Sequence, residues 1–242
     1  MKELNKENNM DHRKFVGGNW DTAGKKQIDF LREEGLQPYH VLCDVGCGSL
    51  RAGRHFIDYL DPGKYFGVEK NEWLTDAGVA QELTDEQRRM RPHFAINDEF
   101  DFSSFRNTKF DYAIAKSVFT HLKKDKIKQC LDNLLPIMKD DGKFYASISI
   151  GSSRGNPKED SETKRFRYTI EEIRELATGW NVVSLGHKGC FQQTMLKFVP
   201  IKNSIQVSIV TAAFRAKNMD RVLKSISSQT FKNIEWIIVN DG

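Results

Sequence analysis

The stretch Val41 to Gly53, VLCDVGCGSLRAG, constrains this chain more than any other. Val41, Leu42, Cys43 and Val45 form an apolar run that suits a strand buried on both faces. Gly46 and Gly48 follow at once, where a glycine pair lets the backbone turn sharply and lets a ligand approach the main chain. Ser49 comes next, then Leu50, Phe56, Ile57 and Leu60 at helical spacing. The predicted order is strand, glycine turn, helix N-terminus. Free N–H groups and the positive end of a helix dipole meet at such a turn, a setting for a nucleotide or a carboxylate. A second apolar run, Tyr65 to Val68, ends in Glu69, about twenty residues beyond the glycines. An acid at that strand end can accept hydrogen bonds from ribose hydroxyls, at the edge where α/β folds bind ligands. The plainer alternative is a solvated charge.

Two cofactor classes use such a turn. A dinucleotide site needs G-x-G-x-x-G, and Arg51 stands where the third glycine should be. That weakens the reading as a nicotinamide dehydrogenase. DVGCG after an apolar strand resembles instead the first motif of the S-adenosylmethionine (SAM) methyltransferases, with Asp44, Gly46, Cys47 and Gly48 as its cofactor-binding residues. Leu50 replaces the last glycine of the usual G-x-G-x-G.

The surrounding chain reads as alternating helices and strands. Residues 1–14 are polar and are expected to form a loose tail. FVGGNW, Phe15 to Trp20, carries a glycine turn and a large ring that belongs to the core or to a lid. A helix is predicted over Asp21–Glu34, capped by Asp21 and stopped by Gly35. A charged helical segment over Trp73–Arg89 ends at Pro92, and strand three covers His93–Asn97. Asp111 opens strand four, which runs through Ile114. Ile127, Leu131, Leu134 and Met138 give the helix Lys124–Met138 an apolar face, with Pro136 distorting its last turn. Asp140, Asp141 and Gly142 then turn the chain into strand five, Phe144–Ile150. Gly151–Lys164 has no apolar face and is a long loop at the pocket side of strand five, the place of a lid. Thr169 and Glu172 make a capping box, and strands follow at Asn181–Leu185 and Thr194–Val199.

From about Phe15 to Pro200 the chain resembles a class I SAM-dependent methyltransferase of the kind found in bacterial surface-glycan loci. The carrying pieces are VGGNWDTAGKKQIDFL, VLCDVGCGSLRAGRHFIDYLDPGKYFGVEKN and AKSVFTHL. The resemblance implies an α/β, Rossmann-like seven-stranded sheet whose last two strands are an antiparallel pair, with SAM across the strand ends. It implies Glu69 on the ribose, Asp98 or Glu99 on the adenine amino group, and Lys116 and Ser117 beside the methyl group. His121 follows shortly after and is the candidate general base, because imidazole exchanges protons near neutral pH. The alternative for His121 is fixing the loop or capping the next helix. No metal is expected.

A second resemblance covers Gln206 to Gly242, which reads strand, helix, strand. Asn218 is the expected helix cap, and Met219, Val222, Leu223 and Ile226 its buried face. This looks like the opening of a family 2 glycosyltransferase of the GT-A fold, with Asn240, Asp241 and Gly242 at its first Asp-Asp-Gly. Thr211, Ala212, Ala213 and Phe214 replace the usual Pro-Thr-Tyr-Asn. The expected domains are a tail over 1–14, a methyltransferase over 15–202 and a glycosyltransferase fragment over 205–242 of a longer chain.

The expected activity is methylation of a sugar hydroxyl in surface-polysaccharide assembly, with a glycan or small-molecule acceptor and the glycosyltransferase domain as partners. The alternatives are a non-catalytic SAM-fold scaffold, or a small-molecule, lipid or protein acceptor. A net charge of +4 with dispersed cations does not argue for nucleic acid. Cys43, Cys47, Cys130 and Cys190 show neither disulfide nor zinc spacing. With no signal-peptide core at the start and no membrane span, a reducing, cytoplasmic location is expected.

Overall fold

The structure is a computed structural model that describes residues 11–161, 164–188, 192–201, 207–213, 219–228 and 234–240. Its contacts divide the chain into two units, one ending at Pro200 and one starting at Ile201.

The first unit is a mixed sheet between two helical layers. Its strands are β1 (Leu42–Val45), β2 (Tyr65–Glu69), β3 (His93–Ile96), β4 (Phe110–Ala115), β5 (Met138–Ile148), β6 (Trp180–Ser184) and β7 (Thr194–Pro200). They lie in the order β3-β2-β1-β4-β5-β7-β6. β1 pairs in parallel with both β2 and β4, so the strand order reverses direction at β1. Such a reversal opens a crevice at the strand C-termini, where α/β sheets bind ligands. β7 runs antiparallel to β5 and β6. This matches the expected seven-stranded Rossmann-like sheet.

The strands alternate between two cores. Cys43, Val45, Ala113, Ala115 and Phe144 join one buried cluster, while Leu42, Tyr112, Ile114 and Tyr145 join the other. Helices α2 (Trp20–Glu33) and α3 (Gly53–Tyr59) cover the second through Ile28, Leu31, Phe56 and Ile57. Helices α6 (Lys124–Leu134) and α7 (Ile170–Leu176) cover the first through Ile127, Leu131, Leu134 and Ile173. A side chain such as Phe56, wholly removed from water, contributes about 1.5–3 kcal/mol. At Gly24 the packing is main chain against main chain: an added Cβ would lie 2.1 Å from the Arg51 carbonyl oxygen.

Several expectations need correction. Residues 1–10 lie outside the described residues, but from Asp11 the chain is no loose tail. Asp11 caps a short helix α1 (His12–Phe15) by accepting from the N–H groups of Arg13 and Lys14. Arg13 then grips the buried Glu82 through two hydrogen bonds of 2.6 and 2.8 Å. Helix α2 starts at Trp20, behind Asn19 at φ 47°, so Asp21 is not its cap. The segment over Trp73–Arg89 is broken: α4 (Glu72–Ala77) passes into a π turn, and Thr84 caps a separate α5 (Asp85–Arg89). Helix α6 stops at Leu134 because Pro136 tightens the next residues into a 3-10 turn. The chain then enters β5 at Met138, six residues before the predicted start, and leaves the strand at Ile148. The early pairing survives an irregular register between Phe110 and Tyr112.

The second unit contains β8 (Val207–Ala213), α8 (Met219–Ser227) and β9 (Ile234–Asn240), with β8 and β9 parallel. The expected strand, helix, strand order is present. The expected buried face of α8 is not: Leu223 is exposed and no residue of the helix is buried. Val210, Ile237, Ile238 and Val239 are exposed too. One such unit has too few layers to cover its own apolar faces. Phe214, Asn218, Asp241 and Gly242 lie outside the described residues, as does Cys190.

Candidate active site

The glycine turn sits between β1 and α3, at the strand-order reversal. Gly46 and Gly48 have φ of 73° and 56°, and Leu50, where a third glycine was expected, is also left-handed at φ 64°. The turn therefore keeps its shape without that glycine, and the fully buried Leu50 side chain meets the local strain. A Cβ on Gly48 would come within 2.9 Å of Val16, so the segment after α1 lies directly over the turn. Arg51 explains how that segment is held. Its Nη1 donates to the carbonyl oxygens of Val16 at 2.7 Å and Gly18 at 2.8 Å. The residue that spoils a dinucleotide motif is thus a clamp on the Phe15–Trp20 stretch.

Glu69 ends β2 and is 7 % exposed. One carboxylate oxygen accepts from Gly48 N at 2.9 Å; the other accepts from Lys70 N and Asn71 N, both at 3.0 Å. A carboxylate has about four lone-pair sites, so capacity remains for a ribose hydroxyl. Asp44 is buried in β1, where its carboxylate accepts from the Tyr65 hydroxyl at 2.9 Å. Burial pushes its pKa up to about 7, opposed by the Tyr65 hydrogen bond and assisted by the nearby charge of Glu69. Cys47 is buried beside Gly67, and burial holds its thiol protonated. Two buried ring atoms in the segment over the turn, His12 Nδ1 and Trp20 Nε1, have no hydrogen-bond partner among the described residues. Such orphaned polar atoms near the turn leave hydrogen-bonding capacity unused. Together with the open capacity of Glu69, they fit the cofactor that the sequence resemblance implies.

The adenine candidates separate. The Glu99 carboxylate is engaged by Lys126 at 2.7 Å and Gln129 at 2.8 Å, which lower its pKa. Asp98 is exposed, and among the described residues only its main-chain oxygen is engaged, by Lys126 at 3.4 Å. Its neighbour Asn97 is hydrogen-bonded to the main chain of Glu69.

At the end of β4, Lys116 and Ser117 lie in a polar cluster. Lys116 Nζ donates to Gln193 Oε1 at 2.7 Å, and Ser117 Oγ donates to the same oxygen at 3.2 Å. Ser117 holds φ 62° and is fixed by its N–H, which donates to Ser147 Oγ at 2.8 Å. Gln193 and Ser147 are both buried. Neither was visible in the sequence, because nothing local marks a residue that comes from a distant strand. His121 closes a 3-10 turn over Phe119–His121, and its Nδ1 lies 2.8 Å from the carbonyl oxygen of Ser161. A carbonyl can only accept, so Nδ1 carries the hydrogen and the Nε2 lone pair of the neutral ring is left open. The same loop donates Ser161 N to the His121 carbonyl oxygen and Phe166 N to that of Thr120.

Comparison with known proteins supports the fold and its methyltransferase class. Residues 43–144 match the family described as "Methyltransferase domain". The fold resembles magnesium protoporphyrin IX methyltransferase from Synechocystis PCC 6803 with bound SAM at 17% identity and a TM-score of 0.56, covering 83% of this chain and 92% of that one. It resembles a TehB-like SAM-dependent methyltransferase from Corynebacterium glutamicum at 16% identity and a TM-score of 0.54, covering 78% and 92%. The glycopeptide N-methyltransferase MtfA matches at 12% identity and a TM-score of 0.58, covering 76% and 92%. No described helix is long and apolar enough to cross a membrane.

Proposed function

We propose that this S-adenosylmethionine-dependent methyltransferase methylates a sugar hydroxyl, and that it works beside a glycosyltransferase domain in surface-polysaccharide assembly. The glycan context rests on the likeness of residues 206–242 to the opening of a GT-A glycosyltransferase. Two sites on one chain would raise the local concentration of acceptor.

The observation that carries the acceptor chemistry is the hydrogen bond from His121 Nδ1 to Ser161. It leaves Nε2 as the basic nitrogen. The cofactor, when bound, supplies an electrophilic methyl group and a sulfur that keeps the electron pair of the broken C–S bond. Glu69 and the turn at Gly46 and Gly48 hold it. His121 Nε2 takes the proton of the acceptor hydroxyl, a step worth about 10²- to 10⁴-fold in rate. The Lys116, Ser117 and Gln193 cluster fixes the end of β4 against β5 and β7, because orientation is the larger part of such catalysis.

The test uses tritiated methyl transfer into a cell-envelope extract, with titration calorimetry of S-adenosylhomocysteine. His121→Ala should leave cofactor affinity nearly unchanged and lower transfer by at least about 10²-fold. His121→Gln can still donate to Ser161 but offers no basic nitrogen, so it should be equally slow. Near-normal turnover in His121→Gln would show that the ring only positions the loop.

A further inference from the structure

The loop between β5 and α7 carries five exposed cations: Arg154, Lys158, Lys164, Arg165 and Arg167. None forms an ion pair with an acidic side chain among the described residues, although the cations around them do. Lys124 pairs with Glu172 at 2.8 Å, Arg174 with Glu171 at 3.7 Å and Lys123 with Glu159 at 3.2 Å. The described acids of the loop are already engaged: Glu159 by Lys123, and Asp160 by the N–H of Lys123 at 2.6 Å. These described counter-charges anchor the loop to the start of α6, and neither of them pairs with its arginines.

Two of these cations are held by their main chain. Asn156 exchanges two hydrogen bonds with the main chain of Arg167, at 2.8 and 2.9 Å. The Arg167 side chain then lies across Gly151, where an added Cβ would meet its Cδ at 2.9 Å. Arg154 sits in the 3-10 turn Ser153–Gly155, whose Ser152 cap accepts from Arg154 N. Ser153 Oγ ties that turn to Glu172. The loop is also tied to the candidate base through Ser161 and His121, and to Leu122 through the Tyr168 hydroxyl at 2.6 Å. The cations consequently flank the segment that carries His121.

We propose that the methyl acceptor carries a phosphate group and that Arg154 and Arg167 bind it. Guanidinium groups suit this role because their planar fork can donate two parallel hydrogen bonds to phosphate oxygens. The proposal rests on the reading of His121 and its loop as the acceptor side of the site, and it narrows the acceptor to a phosphorylated sugar or a phosphate-linked carrier. The two sources share this chemistry: a soluble sugar phosphate, or the phosphate of a lipid headgroup.

The experiment is a titration of the full chain, saturated with S-adenosylhomocysteine, with glucose 1-phosphate, with glucose, and with phosphatidylcholine vesicles lacking or containing phosphatidic acid. We expect glucose 1-phosphate or the phosphatidic acid vesicles to bind and glucose and plain vesicles not to. The double variant Arg154→Gln, Arg167→Gln should weaken that binding at least about tenfold, with S-adenosylhomocysteine affinity unchanged as the check on folding. A preference for the vesicles assigns the lipid source, and a preference for glucose 1-phosphate the soluble one. Gly151→Ala, which crowds Arg167 and strains the backbone at φ 155°, should give an intermediate loss. Phosphate probes that do not bind, or that bind the double variant as well as the parent, would overturn the proposal. That outcome leaves the His121 reading standing, because the transfer assay compares His121 variants in chains whose arginines are unchanged.

Discussion

The carboxylate of Glu69 accepts the amide of Gly48 across 2.9 Å, so the end of β2 and the glycine turn form one hydrogen-bonded unit. Glu69→Gln replaces one acceptor oxygen with a donor, and a donor must then face Gly48 N or the amides of Lys70 and Asn71. Hydrogen bonds to a charged group are worth about 1.5–3 kcal/mol. Calorimetry should show S-adenosylhomocysteine affinity reduced at least about tenfold. An unchanged affinity would mean that cofactor binding does not depend on the Glu69 carboxylate, through the turn or directly.

Stability should depend on Asp44 in a definite pH window. Burial raises its pKa from the ordinary 3.8 to about 7. Between those values the folded protein keeps a proton that the unfolded chain has released. The stabilisation from this group is complete below the unfolded value and is lost as pH rises through about 7. One such proton gives a slope of at most about 1.4 kcal/mol per pH unit. Urea unfolding across the window should show that Asp44→Asn removes this component. Tyr65→Phe deletes the hydrogen bond that favours the charged form and should extend the slope to higher pH.

Leu50 combines a left-handed backbone with complete burial. Truncation to Ala or Gly loses the same packing, about 2–5 kcal/mol in such sites. Glycine alone also relieves the left-handed strain, about 1–2 kcal/mol. Leu50→Gly should therefore unfold at higher urea than Leu50→Ala, the reverse of the usual order. If alanine proves the more stable, the strain assigned to this turn is absent.

Arg51→Met keeps much of the side-chain volume but removes the donor to Val16 and Gly18. Hydrogen exchange should then rise in the amides of residues 13 to 18 and stay unchanged in β4 and β5. Global stability should fall by about 1.5–3 kcal/mol, the scale of a charge-assisted hydrogen bond. Protection retained over residues 13 to 18 would show that Arg13 and Glu82 suffice to hold the segment.

Much of this was legible from the sequence because it is local. The apolar run before Gly46, the acid after Val68 and the capping box at Thr169 and Glu172 each declare themselves within a few residues, and all three appear in the structure. Other features depend on contacts that no window contains. Arg51 reads as a defect until its donors are seen to reach Val16 and Gly18. Gln193 acquires its place beside Lys116 only when β7 folds against β5. The early start of β5 was hidden for another reason: Met138 continues the helical period of Ile127, Leu131 and Leu134, and only Pro136 separates the two patterns. The charged loop reads as a lid, but its anchoring is not visible, because the engagement of Glu159 and Asp160 by Lys123 is not local either.

The contact between Gly24 and the Arg51 carbonyl oxygen has a consequence for related chains. No side chain, however small, fits between these two stretches of backbone. Position 24 is therefore a marker of architecture that can be read without a structure. A relative with glycine there can seat its leading helix against the turn as this chain does. A relative with any other residue must have shifted that helix outward, and the cover over its glycine turn will have a different shape.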